Sequence, residues 1–218
     1  MMPFLFKDRA NAGRDLALAL ERYRGPSTLV LGLPRGGVVV AAEVARVLGA
    51  ELNAIVTRKV GAPGNPEYAI GAVAEGGQVV LNDQEIAVYN IAPTYVQQEV
   101  HRQEQEIQRR VGLYRAGASL PTMRDRPVLV VDDGVATGYT MLAALRAVKH
   151  QGGTPVVMAV PVIPAGTLER LAVECDDAVA LATPEPFYAV GLFYEDFAQV
   201  SDRDVIQLLK SAKATRAA

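Results

Sequence analysis

The chain has 218 residues, half of them hydrophobic and 21% charged, with a formal net charge of −2. That length suits one large domain with a real core, and the composition excludes disorder. The near-neutral charge gives no general attraction to nucleic acid or anionic membrane, so none of either is expected as a partner, and local charge must carry any recognition of an anion. Cys175 is the only cysteine, which rules out an internal disulfide and a cysteine-rich metal site. It reads as a small buried hydrophobe in a cytoplasmic protein. No signal peptide is expected, because MMPFLFKDR meets charge within seven residues. VVMAVPVIPAG, the most apolar later stretch, is too short to span a bilayer.

Taken in chain order, short aliphatic runs alternate with stretches of helical period. TLVLGL (28–33), LNAIVTR (52–58), VLVVDD (128–133), PVVMAVP (155–161) and DAVALA (177–182) read as strands buried on both faces. VVVAAEVARVLGA (38–50), TMLAALRAVKHQGG (140–153) and PAGTLERLAVEC (164–175) read as helices between them. The order predicts an α/β fold with a Rossmann-like, mainly parallel sheet flanked by helices, in one domain over 1–218. Residues 82–125 form a helical insertion or cap, and 183–218 a small C-terminal hood and tail. Within the insertion, YVQQEVHRQEQEIQRRVGLY (95–114) carries apolar residues at 96, 100, 107, 111 and 114 as one narrow stripe. Its many charges read as a solvated face, and the segment as a cap or an oligomer contact, with a homodimer expected. His101 and His150 have no neighbours at metal-ligand spacing and are read as structural.

The segment VLVVDDGVATGYT (128–140) carries the chemistry. In an open α/β sheet, ligands bind beyond the carboxyl ends of the strands, which is where Asp132 and Asp133 fall. GVATGYT then enters a helix whose first N–H groups favour an anion, with Gly134 and Gly138 allowing tight turns and Thr137 and Thr140 adding hydroxyls. Carboxylates accept hydrogen bonds from hydroxyls and repel phosphate. The matching ligand is therefore a ribose phosphate, with its diol at the aspartates and its 5′-phosphate at the loop. A Walker A loop needs four residues between its glycines followed by Lys, whereas here there are three and then Tyr139. No GxGxxG occurs, and a receiver domain would place its acidic strand first.

This segment resembles the phosphoribosyl-pyrophosphate (PRPP) loop of the type I phosphoribosyltransferases. The resemblance implies that Asp132 and Asp133 face the ribose hydroxyls. It also implies that Val135, Ala136, Thr137, Gly138, Tyr139 and Thr140 hold the 5′-phosphate. LPRGG after the first strand is similar to the family's pyrophosphate loop, formed by Pro34, Arg35, Gly36 and Gly37, with the Pro34–Arg35 bond cis; a plain strand-to-helix turn is the other reading. Arg58 and Lys59, at the end of the next strand, open a Gly- and Pro-rich stretch, VGAPGNPEYAIG, that resembles the mobile catalytic loop of adenine-type enzymes. Glu67-Tyr68 is similar to an acidic-aromatic pair in those loops. TPEPFYAVGLFYEDF (183–197) resembles the base-binding segment of hypoxanthine-type enzymes, with Phe187 stacking on the base and Glu195 near the metal. An aromatic-rich hairpin in the core is the alternative there.

The activity so implied is Mg²⁺-dependent transfer of phosphoribosyl from PRPP to a nitrogenous base, with release of pyrophosphate, as in nucleotide salvage. Arg35, Lys59 and Glu67 would be the catalytic residues. Mg²⁺ would bind mainly through PRPP, with Asp132, Asp133 and Glu195 as the protein carboxylates nearby. Ala136 stands where hypoxanthine-type enzymes carry a purine-binding acid, and 156–168 holds no lysine, so a 6-oxopurine is disfavoured. The alternative is a regulatory protein of this fold that binds PRPP or a nucleotide with little catalysis.

Overall fold

The computed structural model describes residues 5–217; residues 1–4, which open MMPFLFKDR, and residue 218 lie outside them. Five parallel strands form the central sheet in the order β2-β1-β6-β7-β8. They are β1 (Leu29–Gly32), β2 (Glu51–Ala54), β6 (Val128–Val131), β7 (Val156–Val162) and β8 (Asp177–Ala182). The register is unbroken from Leu29↔Glu51 and Leu29↔Val128 to Val128↔Val156. Side chains alternate faces along each strand, which divides the core in two. Val30, Leu129, Val131, Val157 and Ala159 pack with α1 (Arg9–Ala19), α2 (Gly36–Leu48) and α7 (Asp202–Ala217). Leu29, Leu31, Val128, Val130, Val156, Met158 and Val160 pack with α5 (Tyr139–His150) and α6 (Ala165–Ala172). The α/β sheet expected from the sequence is therefore present, with helix limits shifted by a few residues.

Four readings need correction. The run 52–58 is not one strand: it leaves the main sheet after Ala54 and enters a second, antiparallel sheet, β3-β4-β5. Its strands are β3 (Thr57–Ala62), β4 (Asn65–Ala74) and β5 (Gln78–Leu81). Arg58 and Lys59 consequently lie inside β3, and the stretch expected to be a mobile loop is a β3–β4 hairpin paired from Thr57↔Ala74 to Ala62↔Asn65. Gly71 misled the sequence reading. It serves a close strand contact, since a Cβ there would stand 2.3 Å from the Val80 carbonyl oxygen. DAVALA (177–182) is an edge strand whose six residues are all partly exposed, because among the described residues no strand lies beyond it.

The fourth correction concerns the helical stretch after β5, which comprises α3 (Asp83–Val88) and α4 (Pro93–Arg115). Val96, Ile107, Val111 and Tyr114 are buried as the stripe predicted, and Val100 packs partly against them. The charges beside that stripe are not all solvated, because Glu99 and Arg115 are buried, as is the neutral Gln103. Helices α1 and α7 were not anticipated. Asp8 caps α1 by accepting from the Asn11 N–H at 2.6 Å, and α7 buries Val205 and Leu209 against the first half of the core. Among the described residues, no helix is long and apolar enough to cross a membrane.

Candidate active site

The site forms where β1 and β6 end and β3 begins. Beyond β6 the chain runs through Asp132 and Asp133 into the 134–138 loop and then α5. Two side chains of α6 take up the carbonyls of this loop: Thr167 Oγ1 donates to Ala136 O at 3.0 Å, and Arg170 donates to Thr137 O. Val135 N–H donates to the Val162 carbonyl at 2.9 Å, and the N–H groups that follow are left over. Among the described residues, those of Ala136, Thr137 and Gly138 have no acceptor, and the first N–H groups of α5 follow directly. Arg170 also lies over the Tyr139 ring, 5.8 Å from its centroid, and brings a cation to the loop. Tyr139 in turn accepts a hydrogen bond from Asn82 Nδ2 at 2.5 Å, which links the loop to the exit of the second sheet.

Two cavities flank the acidic pair. The smaller, of about 500 Å³, is walled by the 134–140 loop together with Thr167 and Arg170. The larger, of about 770 Å³, is walled by Leu33, Pro34, Arg58, Lys59 and the polar face of α4. Lys59, Glu67, Asp132 and Thr140 line both. A single ligand can therefore occupy the two lobes at once, passing Asp132 on the way.

In the larger lobe, Arg58 is held by a short relay from α4. Its Nε donates to Gln103 Oε1 at 3.0 Å, and Gln103 Nε2 donates to Glu99 Oε1 at 2.7 Å. Burial, with Arg110 and Arg102 alongside, pulls the Arg58 guanidinium below its ordinary pKa. The cation is thus only partly compensated by the protein. Glu106 offsets part of this but is engaged with other cations: hydrogen bonds from Arg109 and Arg110 hold its carboxyl down at about 2. Lys59 lies 3.8 Å from Glu67, whose side chain is 92% exposed, so that pair contributes little.

The LPRGG segment turns from β1 into α2, and the Pro34–Arg35 peptide is cis. Arg35 occupies the cap position of α2 and, among the described residues, makes no ion pair. Its two glycines are dictated by the acidic pair. A Cβ on Gly36 would stand 1.9 Å from Asp133 Oδ2, and one on Gly37 would stand 2.7 Å from Asp132 Oδ1. The two motifs, almost a hundred residues apart, are packed together without room for a methyl group.

The aspartates themselves differ. Asp132 lines both lobes; Asp133 lines neither. Asp133 instead accepts a hydrogen bond from Arg9 Nε at 2.6 Å, and its carbonyl accepts from Tyr194 Oη at 2.5 Å. Burial raises the carboxyl pKa of both, and the neighbouring Asp133 charge raises that of Asp132 further, whereas Arg9 works against the rise at Asp133. Burial likewise pushes the Tyr194 hydroxyl well above its usual value.

Phe187 packs on Phe193 with ring centroids 5.0 Å apart, inside a small aromatic cluster, and Val190 is the residue of the 183–197 segment that reaches the smaller lobe. Glu195 is exposed and lines neither lobe; its N–H donates to the Phe6 carbonyl. Among the described residues, no three His, Cys, Asp or Glu side chains converge in a way that could hold a metal ion. Sequence reasoning missed Arg9, Gln103, Thr167 and Arg170. Each reaches the site through tertiary packing, and no local pattern around it signals a ligand.

A family model described as the phosphoribosyl transferase domain matches residues 7–180. Among curated proteins, the chain is 43% identical over 208 residues to proteins of two Mycobacterium tuberculosis strains, CDC 1551 and H37Rv, each provisionally named a phosphoribosyl transferase. The match covers 95% of this chain and 47% of each relative, so the chain spans about half the length of the curated relatives it matches. Among solved structures, TT1426 from Thermus thermophilus is 47% identical, with a TM-score of 0.78 over 94% of this chain and 98% of that one. The AQ2163 protein from Aquifex aeolicus shares the fold at 11% identity, with a TM-score of 0.52 over 84% of this chain and 78% of its own. With the family model covering most of the chain, and the acidic-pair loop and the Arg-Gly-Gly turn packed against each other, the chain belongs to the phosphoribosyltransferase family.

Proposed function

We propose that the protein transfers the 5-phosphoribosyl group of PRPP to a nitrogenous base and releases pyrophosphate. One observation carries the reading: Asp132 stands at the junction of a lobe with free backbone N–H groups and a lobe with an under-compensated cation. PRPP has the matching layout, with its 5′-phosphate on one side of the ribose diol and its pyrophosphate on the other. The N–H groups of Ala136, Thr137 and Gly138 and the start of α5 would take the 5′-phosphate, with Arg170 adding charge. Arg35, Arg58 and Lys59 would take the pyrophosphate.

As the bond from ribose C1 to the pyrophosphate oxygen breaks, the electron pair leaves with pyrophosphate and the sugar gains oxocarbenium character. Arg58, held by Gln103 in the larger lobe, would favour the departing charge with little reorganisation. A ring nitrogen of the base then bonds to C1 and loses its proton. Mg²⁺ fits as an ion carried by the substrate, since Asp132 offers a carboxylate at the junction and, among the described residues, no protein cage converges there; it would neutralise pyrophosphate oxygens. Ala136, exposed in the loop, offers no carboxylate to a purine, which disfavours a 6-oxopurine as acceptor.

The test is pyrophosphate release from PRPP and Mg²⁺ across a panel of purines and pyrimidines. Turnover with at least one base is expected. PRPP binding without turnover on any base would instead identify a sensor, and no binding would remove the reading altogether.

A further inference from the structure

The loop that enters α5 leaves a run of N–H groups open, and the reason lies on α6. Val135 N–H is taken by the Val162 carbonyl at the end of β7. The carbonyls of the next three residues are taken as well. Ala136 O accepts from Thr167 Oγ1 at 3.0 Å, Thr137 O from Arg170 Nη2, and Gly138 O from the Leu142 N–H at 2.8 Å. Thr167 and Arg170 stand three residues apart and so share one face of α6. That face is pressed against the loop. A Cβ on Gly138, whose φ is +81°, would stand 3.0 Å from Thr167 Cγ2, 3.1 Å from Leu171 Cδ1 and 3.2 Å from Arg170 Nη2.

Pinning a carbonyl also fixes the N–H on the far side of the same peptide. The 136–137 and 137–138 peptides are trans, and in a trans peptide the C=O and N–H point opposite ways. Thr167 thereby sets the direction of the Thr137 N–H, and Arg170 that of the Gly138 N–H. The second needs the restraint more. Glycine accepts φ on either side of zero, so the 137–138 peptide could turn over at little cost. Turned over, it would show an anion a carbonyl oxygen in place of an N–H. Resting on the phosphoribosyl reading above, we infer that Thr167 and Arg170 are positioning residues: α6 holds two loop carbonyls so that the N–H groups of Thr137 and Gly138 face the 5′-phosphate of the donor. Arg170 also brings charge, whereas Thr167 is neutral and acts only through the loop.

The experiment is calorimetric titration of three ligands, each with Mg²⁺, into the full chain and its variants. The ligands are PRPP, ribose 5-phosphate, which has the 5′-phosphate alone, and pyrophosphate, which lacks it. Thr167→Val keeps the size of the side chain and removes the donor. It should weaken PRPP and ribose 5-phosphate by a common factor of about tenfold, while pyrophosphate affinity moves by less than about twofold. Thr167→Ser restores the hydroxyl and should recover most of the loss. Arg170→Met should weaken the first two ligands by about thirtyfold, since aim and charge go together, and again spare pyrophosphate. A role in holding the fold alone would instead lower affinity for all three ligands alike.

Pyrophosphate affinity falling in step with that for ribose 5-phosphate would overturn the inference, as would a Thr167→Val variant that binds all three ligands like the wild type. Should Thr167→Val fail to fold, Arg170→Met read against pyrophosphate decides alone. A wild-type chain that does not bind PRPP would mark failure of the phosphoribosyl reading itself. A wild type that binds PRPP, with the α6 variants binding it equally well, would mark failure of the positioning role only.

Discussion

At the scale of single residues, the site carries groups whose state suits a ligand better than it suits the fold. Asp132 is the clearest case, because burial and the neighbouring carboxylate raise its pKa. A carboxyl raised in the folded state binds its proton more tightly there than in the unfolded chain. Folding stability therefore falls as pH rises from the ordinary carboxylate range through the raised value. Asp132→Asn keeps the oxygen that accepts from the Asp133 N–H at 2.9 Å and removes the charge. It should raise the melting temperature at pH 8 by a few degrees, on the order of 1 kcal/mol, with a smaller gain at pH 4. Scanning calorimetry at the two pH values checks this, and a variant destabilised at pH 8 would contradict it. Gly36→Ala acts in the opposite direction. Its methyl group would stand 1.9 Å from Asp133 Oδ2, so a loss of about 1–3 kcal/mol in urea unfolding is expected. The chemistry of the acidic pair was legible in the sequence because it is local, with strand, acids and small loop adjoining. What holds Asp133 in place was not, because its partner Arg9 lies 124 residues away along the chain.

Among the elements, those of the main sheet were legible and those of the second sheet were not. β1, β6 and β7 are short aliphatic runs buried at every position, and such runs have few other solutions than an interior parallel strand. In the 60–71 stretch, Gly and Pro signal a loop, yet Gly71 is there so that β5 can approach. Helix α4 shows the same limit. Its apolar stripe fixed which side is buried, but not that Glu99 and Gln103 would turn toward Arg58. The relay gives a test of α4 as part of the site. Gln103→Leu keeps the bulk and removes the acceptor that aims Arg58. Steady-state kinetics should show KM for PRPP rising about tenfold with little change in melting temperature. An unchanged KM would mean that Arg58 is aimed by something else.

Across the whole molecule, the main sheet divides two packed halves, and the cleft opens at the carboxyl ends of its strands. The first half is closed by α7, on which Val205 and Leu209 are buried against α2, β2 and α4. Leu209→Ala should cost about 2–4 kcal/mol in denaturant unfolding while leaving PRPP affinity of the folded protein within about twofold. A matching loss of affinity would mean that α7 helps shape the cleft. The α/β architecture was readable from the alternation of runs; the closure by α1 and α7 was not, because neither helix has a strongly apolar face. Among the described residues, the two lobes of the cleft meet at four, Lys59, Glu67, Asp132 and Thr140. On the proposed reaction, an intact donor would grip both lobes through one covalent frame, so its second grip would be intramolecular and its affinity would exceed what either end could achieve. Breaking the bond to C1 would undo that avidity and leave two monovalent pieces, each in its own lobe. The cleavage that made the products would thereby also loosen them.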